Sequence, residues 1–313
     1  MITVRPVQLE DCEQIAALAQ AQISIWQRWD ARGRVEDVTY SALSIYERWL
    51  HGGVWMSLET GAIHLGRLLL GAGFAWVAER EGDIVGYLEA YHGVESAPYG
   101  QHLHIAALSL APEIAHNGVD RQLMDAARAQ ARALKCAQLL TTTTAGEAAL
   151  QVFQEMNAQP LTLMRRCTLP ARTGQGLYQS VADETTDARQ IAGWTMPLGR
   201  SSSARQMWEM HWNPIWDVLP PLRERTRRLR FAASGQEAYI VFQRGLYDAR
   251  VVEIACWTPR ALSSALLMAL RDWAHREGYR TLSLLVPEDA LKMLGADAEA
   301  DGYTQTVWTM GVG

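Results

Sequence analysis

The chain has 313 residues, a length that suits two domains of ordinary size. Hydrophobic residues make up 49% and charged residues 20%, which excludes a disordered chain and points to a packed, soluble one. A net charge of -5 argues against a nucleic-acid binder held by phosphate contacts, although a few local donors can still hold a small anion.

Met1-Ile2-Thr3-Val4-Arg5-Pro6 opens like a strand and lacks the basic-then-apolar profile of a signal peptide. A helix follows, with Asp11 as its cap and Ile15, Leu18 and Ala19 at helical spacing. Residues 36–71 read as mostly helical, with Leu43, Tyr46, Trp49 and Leu50 along one face. The period then switches to two. Residues 74–79 and 84–91 flank Glu81-Gly82-Asp83 as a hairpin. After a turn-rich stretch, 93–100, comes an apolar strand at 102–110. A loop at 111–118 leads into a helix over 119–135. A strand at 139–143, a helix at 145–156 and a strand at 161–169 complete this half.

The second half repeats the order with little residue identity. Strand 177–181, helix 187–194, a Trp-rich helical region 204–225 and a hairpin around Gly235-Gln236 precede a strand at 251–257. A helix over 259–276, a strand at 281–286, a short helix at 290–294 and a strand at 303–310 follow. The breaker-rich segment 170–176 is the expected linker. The expected domains are 1–172 and 173–313.

No apolar run reaches the ~20 residues that span a bilayer, so no membrane association is expected. Cys12, Cys136, Cys167 and Cys256 are far apart and form no Cys-x-x-Cys pair. That spacing supplies neither a disulfide framework nor a zinc site, and the expected compartment is the cytoplasm. His211-Trp212 with Glu209 lacks a third metal ligand. Arg223, Arg225, Arg227, Arg228 and Arg230 read as a solvated helix end. The twelve tryptophans gather at 26–76 and 194–216, either as core anchors or as the wall of an aromatic cleft.

The most informative stretch is Leu108-Ser109-Leu110-Ala111-Pro112-Glu113-Ile114-Ala115-His116-Asn117-Gly118-Val119-Asp120-Arg121-Gln122-Leu123-Met124. An apolar strand end, Pro-Glu, a glycine loop and a helix with paired apolar residues, set in this element order, resemble the GNAT (GCN5-related N-acetyltransferase) superfamily. Pro112, Glu113, Gly118, Val119, Leu123 and Met124 match its pattern. Ala115, His116 and Asp120 depart from the usual Arg/Gln and Gly/Ala positions. The fold class the resemblance implies is α/β (an α+β mixed sheet), as two tandem GNAT folds. It implies that Leu108, Ser109 and Leu110 pair with the pantetheine arm of acetyl-CoA or another acyl-CoA. It also implies that Ala115, His116, Asn117, Gly118, Val119, Asp120 and Arg121 hold the pyrophosphate. The physical basis is the free amides and dipole of a helix N-terminus, with glycine permitting close approach.

The second half has no such loop. Thr258-Pro259-Arg260 is short and glycine-free, Pro259 reads as a helix start, and no cofactor site is expected there.

Acetyl transfer needs a group that takes the proton of an amine. His104 falls about where the resemblance places the base, and His102 lies on the same strand face. His102-Leu103-His104 is similar to a proton-relay pair found in some arylalkylamine members. Tyr87, Glu89 and Tyr91 share a face of the neighbouring strand, and Glu89 is a third candidate. The tyrosine that often protonates the leaving thiolate is replaced by Phe153, which cannot donate. The expected activity is N-acetyl transfer from an acyl-CoA to a small-molecule or peptide amine, without a metal. The alternative is an inactive binding protein on a decayed scaffold. A homodimer is left open.

Overall fold

The computed structural model describes residues 2–29, 33–114, 118–144, 148–174 and 176–313. The first half runs β1 (Ile2–Pro6), α1 (Cys12–Gln20), β2 (Gln27–Trp29), β3 (Val35–Asp37), α2 (Ile45–Trp49), α3 (Leu58–Arg67), β4 (Phe74–Arg80), β5 (Asp83–Val94) and β6 (Gln101–Leu110). It continues through α4 (Val119–Ala133), β7 (Gln138–Thr144), α5 (Ala148–Glu155) and β8 (Gln159–Pro170). The second half holds β9 (Tyr178–Ala182), β10 (Thr195–Leu198), α6 (Ala204–Met207), α7 (Pro220–Arg225), β11 (Thr226–Ala233), β12 (Gln236–Arg244) and β13 (Val251–Thr258). It ends with α8 (Ser264–Arg276), β14 (Thr281–Pro287), α9 (Leu291–Leu294) and β15 (Glu299–Gly311).

Two compact units form. One comprises 1–92, 105–136 and 312–313; the other comprises 93–104 and 137–311. In the first unit the strand order is β1-β4-β5-β6. β1 and β4 are antiparallel, with Ile2 opposite Arg80 and Pro6 opposite Trp76. β4 and β5 form the expected hairpin, with Phe74 opposite Ala90. α1 and α3 pack together. α4 buries Val119, Leu123, Met124, Ala127 and Ala131, a 3.6-residue repeat, and leaves Arg121 and Asp125 exposed. The 36–71 region is less helical than its pattern suggested. Val35–Asp37 pairs with Gln27–Trp29 as a small hairpin, and short turns separate α2 from α3.

In the second unit the order is β7-β15-β8-β14-β13-β12-β11-β9, with β10 beside β13. This order exchanges the closing strands of the two sequence halves. β15, the last strand of the second half, lies antiparallel to β7 of the first, with Gln305 opposite Thr144 and Gly311 opposite Gln138. β8, the last strand of the first half, lies antiparallel to β14 of the second, with Thr281 opposite Pro170. β15 also pairs with β8, so both are interior strands. Val307 and Met310 are buried on β15, and Met164, Cys167 and Leu169 on β8.

One core of this unit packs α8 on Phe231, Ile240, Phe242, Ile254 and Leu284. A second gathers Trp208, Trp212, Trp257 and Tyr239, with Trp208 and Trp212 stacked at 4.9 Å. These three indoles are fully buried and donate to the carbonyls of Thr186, Thr185 and Ala204. Their role is core anchoring, not a cleft wall. The linker is clamped by the buried Asp272 of α8, which accepts from Gly174 N–H and Tyr178 OH. The Arg223–Arg230 run spans α7 and β11. Arg228 grips Asp217 with both Nη atoms and Arg230 pairs with Glu237. No helix among the described residues is long and apolar enough to cross a membrane.

Candidate functional site

β6 ends with Leu108, Ser109 and Leu110 half-buried. Ala111 N–H donates to Val85 O at 2.9 Å, and Gln22 Nε2 donates to Leu110 O at 3.3 Å, which fixes the strand end. One short turn, Pro112–Ile114, follows. Ala115, His116 and Asn117 lie outside the described residues. Gly118 precedes α4 at φ 76°, ψ 10°, a left-handed conformation that costs a residue with a Cβ about 1–2 kcal/mol. Its side of the helix has no side-chain cap, and Gln122 N–H bonds back to Gly118 O. By helix geometry the amides ahead of Gln122 have no partner within the helix. Val119 is fully buried, Asp120 half-buried and Arg121 exposed. A free N-terminal turn after an apolar strand fits a pyrophosphate, whereas the Asp120 carboxylate competes for the same positive helix end.

In the same unit, period-two alternation puts Tyr87, Glu89 and Tyr91 on one face of β5. Glu89 is 3% exposed. Its Oε2 receives His64 Nε2 at 2.9 Å and Tyr87 OH at 2.7 Å, and its Oε1 receives Tyr91 OH at 2.7 Å. Trp55 covers this network edge-on, 5.5 Å from the His64 ring and 5.2 Å from Tyr87. Burial works to raise the Glu89 carboxyl, but the His64 charge and the hydrogen bonds from His64, Tyr91 and Tyr87 outweigh it and hold it down at about 2. Burial and the Glu89 charge push the Tyr87 hydroxyl well up. So weak a base, enclosed by three donors, suits a structural anchor. Sequence reading missed His64. The signal was present: a carboxylate in an apolar strand needs a buried donor.

His102 and His104 belong to the other unit and are 0% and 1% exposed. Their rings lie 6.3 Å apart. His102 Nδ1 is 3.0 Å from Gly100 O. A carbonyl only accepts, so Nδ1 carries the proton. His102 Nε2 is 3.5 Å from Glu95 Oε1. Glu95 forms a buried ion pair with Arg200 and accepts Ala204 N–H at 3.1 Å. The Arg200 guanidinium lies 3.7 Å from the centre of the Tyr99 ring. Burial first, then the charges of His102 and Arg200, hold the His104 imidazole well below the usual histidine range. At neutral pH it is therefore an uncharged proton acceptor, and its Nδ1 has no hydrogen-bond partner among the described residues. Glu95, Tyr99 and Arg200 were not foreseen, because the first two sit in a stretch that reads only as turn and the third is a residue type rarely buried.

In the second half the connection after β13 differs from the expectation. α8 starts at Ser264, not at Pro259, because Ser263 Oγ caps it by accepting Leu266 N–H at 3.1 Å. The connection is thus longer than three residues. It is stitched by the buried Gln236, whose amide donates to Thr258 Oγ1 and Ala261 O and accepts from Ser263 N–H. A cleft of ≈ 200 Å³ opens in the second unit, lined by Arg166, Ser201, Met207, His211, Glu253 and Leu285 among others. It contains none of the residues expected to act. Phe153 is buried at 2% exposure, in keeping with a packing residue. No three His, Cys, Asp or Glu side chains gather as a metal site among the described residues.

The sequence model of the Acetyltransferase (GNAT) family matches residues 35–158. Residues 35–158 are thus similar to a GNAT acetyltransferase domain. The matched span includes β5, β6, the Gly118 loop and α4, and this family is one of acyl-CoA-dependent acetyltransferases. Solved structures agree on the fold. A GCN5-related N-acetyltransferase from Anabaena variabilis is similar over 100% of this chain and 73% of its own, with a TM-score of 0.62 at 13% identity. One from Kribbella flavida is similar over 100% and 72%, with a TM-score of 0.56 at 12% identity. Eis1 from Mycobacterium abscessus is similar over 100% and 74%, with a TM-score of 0.57 at 13% identity. The mixed α/β architecture of the chain is thus a GNAT architecture along its whole length. No curated protein matches the sequence.

Proposed function

We propose that the chain transfers an acetyl group from acetyl-CoA to a small-molecule or peptide amine, with one cofactor site, in the half spanning 1–172. The observation that carries this reading is the left-handed Gly118 leading into the uncapped N-terminus of α4, directly after the β6 strand end, inside the GNAT-matched segment. Leu108, Ser109 and Leu110 would hold the pantetheine arm. Amides of Gly118, Val119, Asp120 and Arg121 would hold the pyrophosphate, with the expected Ala115, His116 and Asn117 completing the loop. Acetyl-CoA would supply an activated thioester open to attack by an unprotonated amine.

His104, on the same strand as Leu108, takes the amine proton. Its enclosure keeps it uncharged at neutral pH, and a water carries the proton to a ring that is 1% exposed. His102 orients it, with its own Nδ1 fixed on Gly100 O. Glu89, the third candidate, anchors β5 through His64, Tyr87 and Tyr91 and moves no proton.

Titration calorimetry with acetyl-CoA, followed by a thiol-release assay over an amine panel, tests this reading. Gly118→Glu is expected to abolish cofactor heat. His104→Ala is expected to lower kcat about 10²- to 10⁴-fold with the cofactor Kd unchanged. Absence of heat at millimolar acetyl-CoA overturns the cofactor site, and normal turnover by His104→Ala overturns the base. With the pKa of His104 held low, the acid limb of the pH–rate profile is expected well below pH 6.5.

A further inference from the structure

In the second half one segment bridges two parallel strands. β13 and β14 run parallel, with Val251, Val252 and Glu253 opposite Thr281, Leu282 and Ser283. Further along, β10 pairs antiparallel with β13, Leu198 opposite Cys256. The next residue, Gly199, donates its N–H to Leu285 O of β14 at 2.7 Å. The segment thus bridges both strands. Gly199 has φ +76°, and a Cβ there would lie 2.2 Å from Ile254 O and 2.7 Å from Ala255 Cα. Only glycine fits, and it fits so that the chain can cross between the strands.

The residue that this crossing delivers is Arg200. It is 0% exposed, which for a guanidinium is costly without a compensating partner. Glu95 is that partner, and Tyr99 provides the face beneath the guanidinium. Glu95 in turn faces His102 Nε2 and takes Ala204 N–H, next to the Ser203 cap of α6. Arg200 Nε and Nη2 make no hydrogen bond among the described residues although both are buried. Core packing alone would not select a charge that leaves two donors unmet. The charges that act on His104 are those of His102 on its own strand and Arg200 on the segment after β10, and Glu95 faces both His102 and Arg200.

We propose that Arg200, held in place by the Gly199 crossing, is a positioning residue for the histidine pair: through its ion pair with Glu95, which faces His102 Nε2, it fixes the His102 ring that lies 6.3 Å from that of His104. This rests on the acyl-transfer reading above. The segment that bridges β13 and β14 then brings a charge to the histidine pair.

The test is the pH dependence of kcat/KM together with an NMR titration of ¹⁵N-histidine-labelled protein, which reads His104 without turnover. Arg200→Met keeps the length and the Tyr99 contact but removes the charge. It is expected to raise the His104 titration and the acid limb by about one pH unit. Glu95→Gln leaves the Arg200 charge uncompensated and is expected to move both downward. Arg200→Lys restores the charge and is expected to return both toward the parent. A purely structural role would lower the melting temperature without moving either midpoint. Midpoints unchanged in folded Arg200→Met overturn the proposal. Should that variant not fold, an unmoved or upward midpoint in Glu95→Gln overturns it equally. Normal turnover by His104→Ala would sink the base assignment alone, because the titration still reports what Arg200 does to the ring.

Discussion

Glu89 shows how a single side chain can be found in a sequence while its partner is not. Its place beside Tyr87 and Tyr91 on one strand face followed from alternation alone. Its partner on α3, His64, did not, since nothing local links positions 64 and 89. With that partner the carboxylate is an anchor. Its pKa of about 2 lies below the ordinary 4.5. The stability it contributes is therefore present above about pH 4.5 and is lost as the pH falls from there toward 2. At about 1.4 kcal/mol per pH unit of displacement, it contributes about 3 kcal/mol at neutral pH. Glu89→Gln should lower the urea-unfolding free energy by about that amount at pH 7 and by much less near pH 2. Equal losses at both pH values would show that packing, and not the charge, is what the residue supplies. The histidine pair was legible from its spacing and position. The buried Arg200 that pairs with Glu95 was not, because its burial depends on a backbone crossing visible only after packing.

At the scale of elements, the long periodic segments were read well and the short ones poorly. α4, β5 and β6 announce themselves by sustained 3.6- or 2-residue periods. β10 is four residues with Pro197 inside, a composition that argues against a strand except beside an edge or a crossing. Pro259 looked like a helix start, but Ser263 caps the helix better, since its hydroxyl satisfies an orphan amide. α4 carries the element-scale prediction. Asp120 sits in its first turn, where a carboxylate stabilises the empty helix and opposes a bound phosphate. An interaction of about 0.3–1 kcal/mol with the helix end sets the scale. Asp120→Asn should tighten acetyl-CoA binding roughly 2- to 5-fold while slightly lowering the melting temperature. Unchanged calorimetric affinity would mean that the carboxylate faces away from the ligand.

At the scale of the molecule, the repeat of element order was legible, but the exchange of β8 and β15 between the halves was not. Strand partners are set by non-local register, and β8 or β15 could close either half by pattern alone. The exchange makes a sharp demand on the boundary at 172/173. A chain of residues 1–172 would lack β15 beside β7 and β14 beside β8. It would expose unpaired strand edges and the apolar side chains Leu140, Met164 and Leu169, all fully buried in the intact chain. Removal of 299–313 alone takes out an interior strand, with it Val307, Met310 and the Trp308 bond to Thr143 Oγ1. Neither shortened chain should give a monomeric species with a cooperative melt, whereas co-expressed 1–172 and 173–313 should associate and recover one, because together they supply every closing strand. Size-exclusion chromatography with circular-dichroism melting decides the matter. A monomeric, cooperatively folding 1–172 fragment would mean that the first half can close its own sheet, and that the exchange is dispensable for its fold.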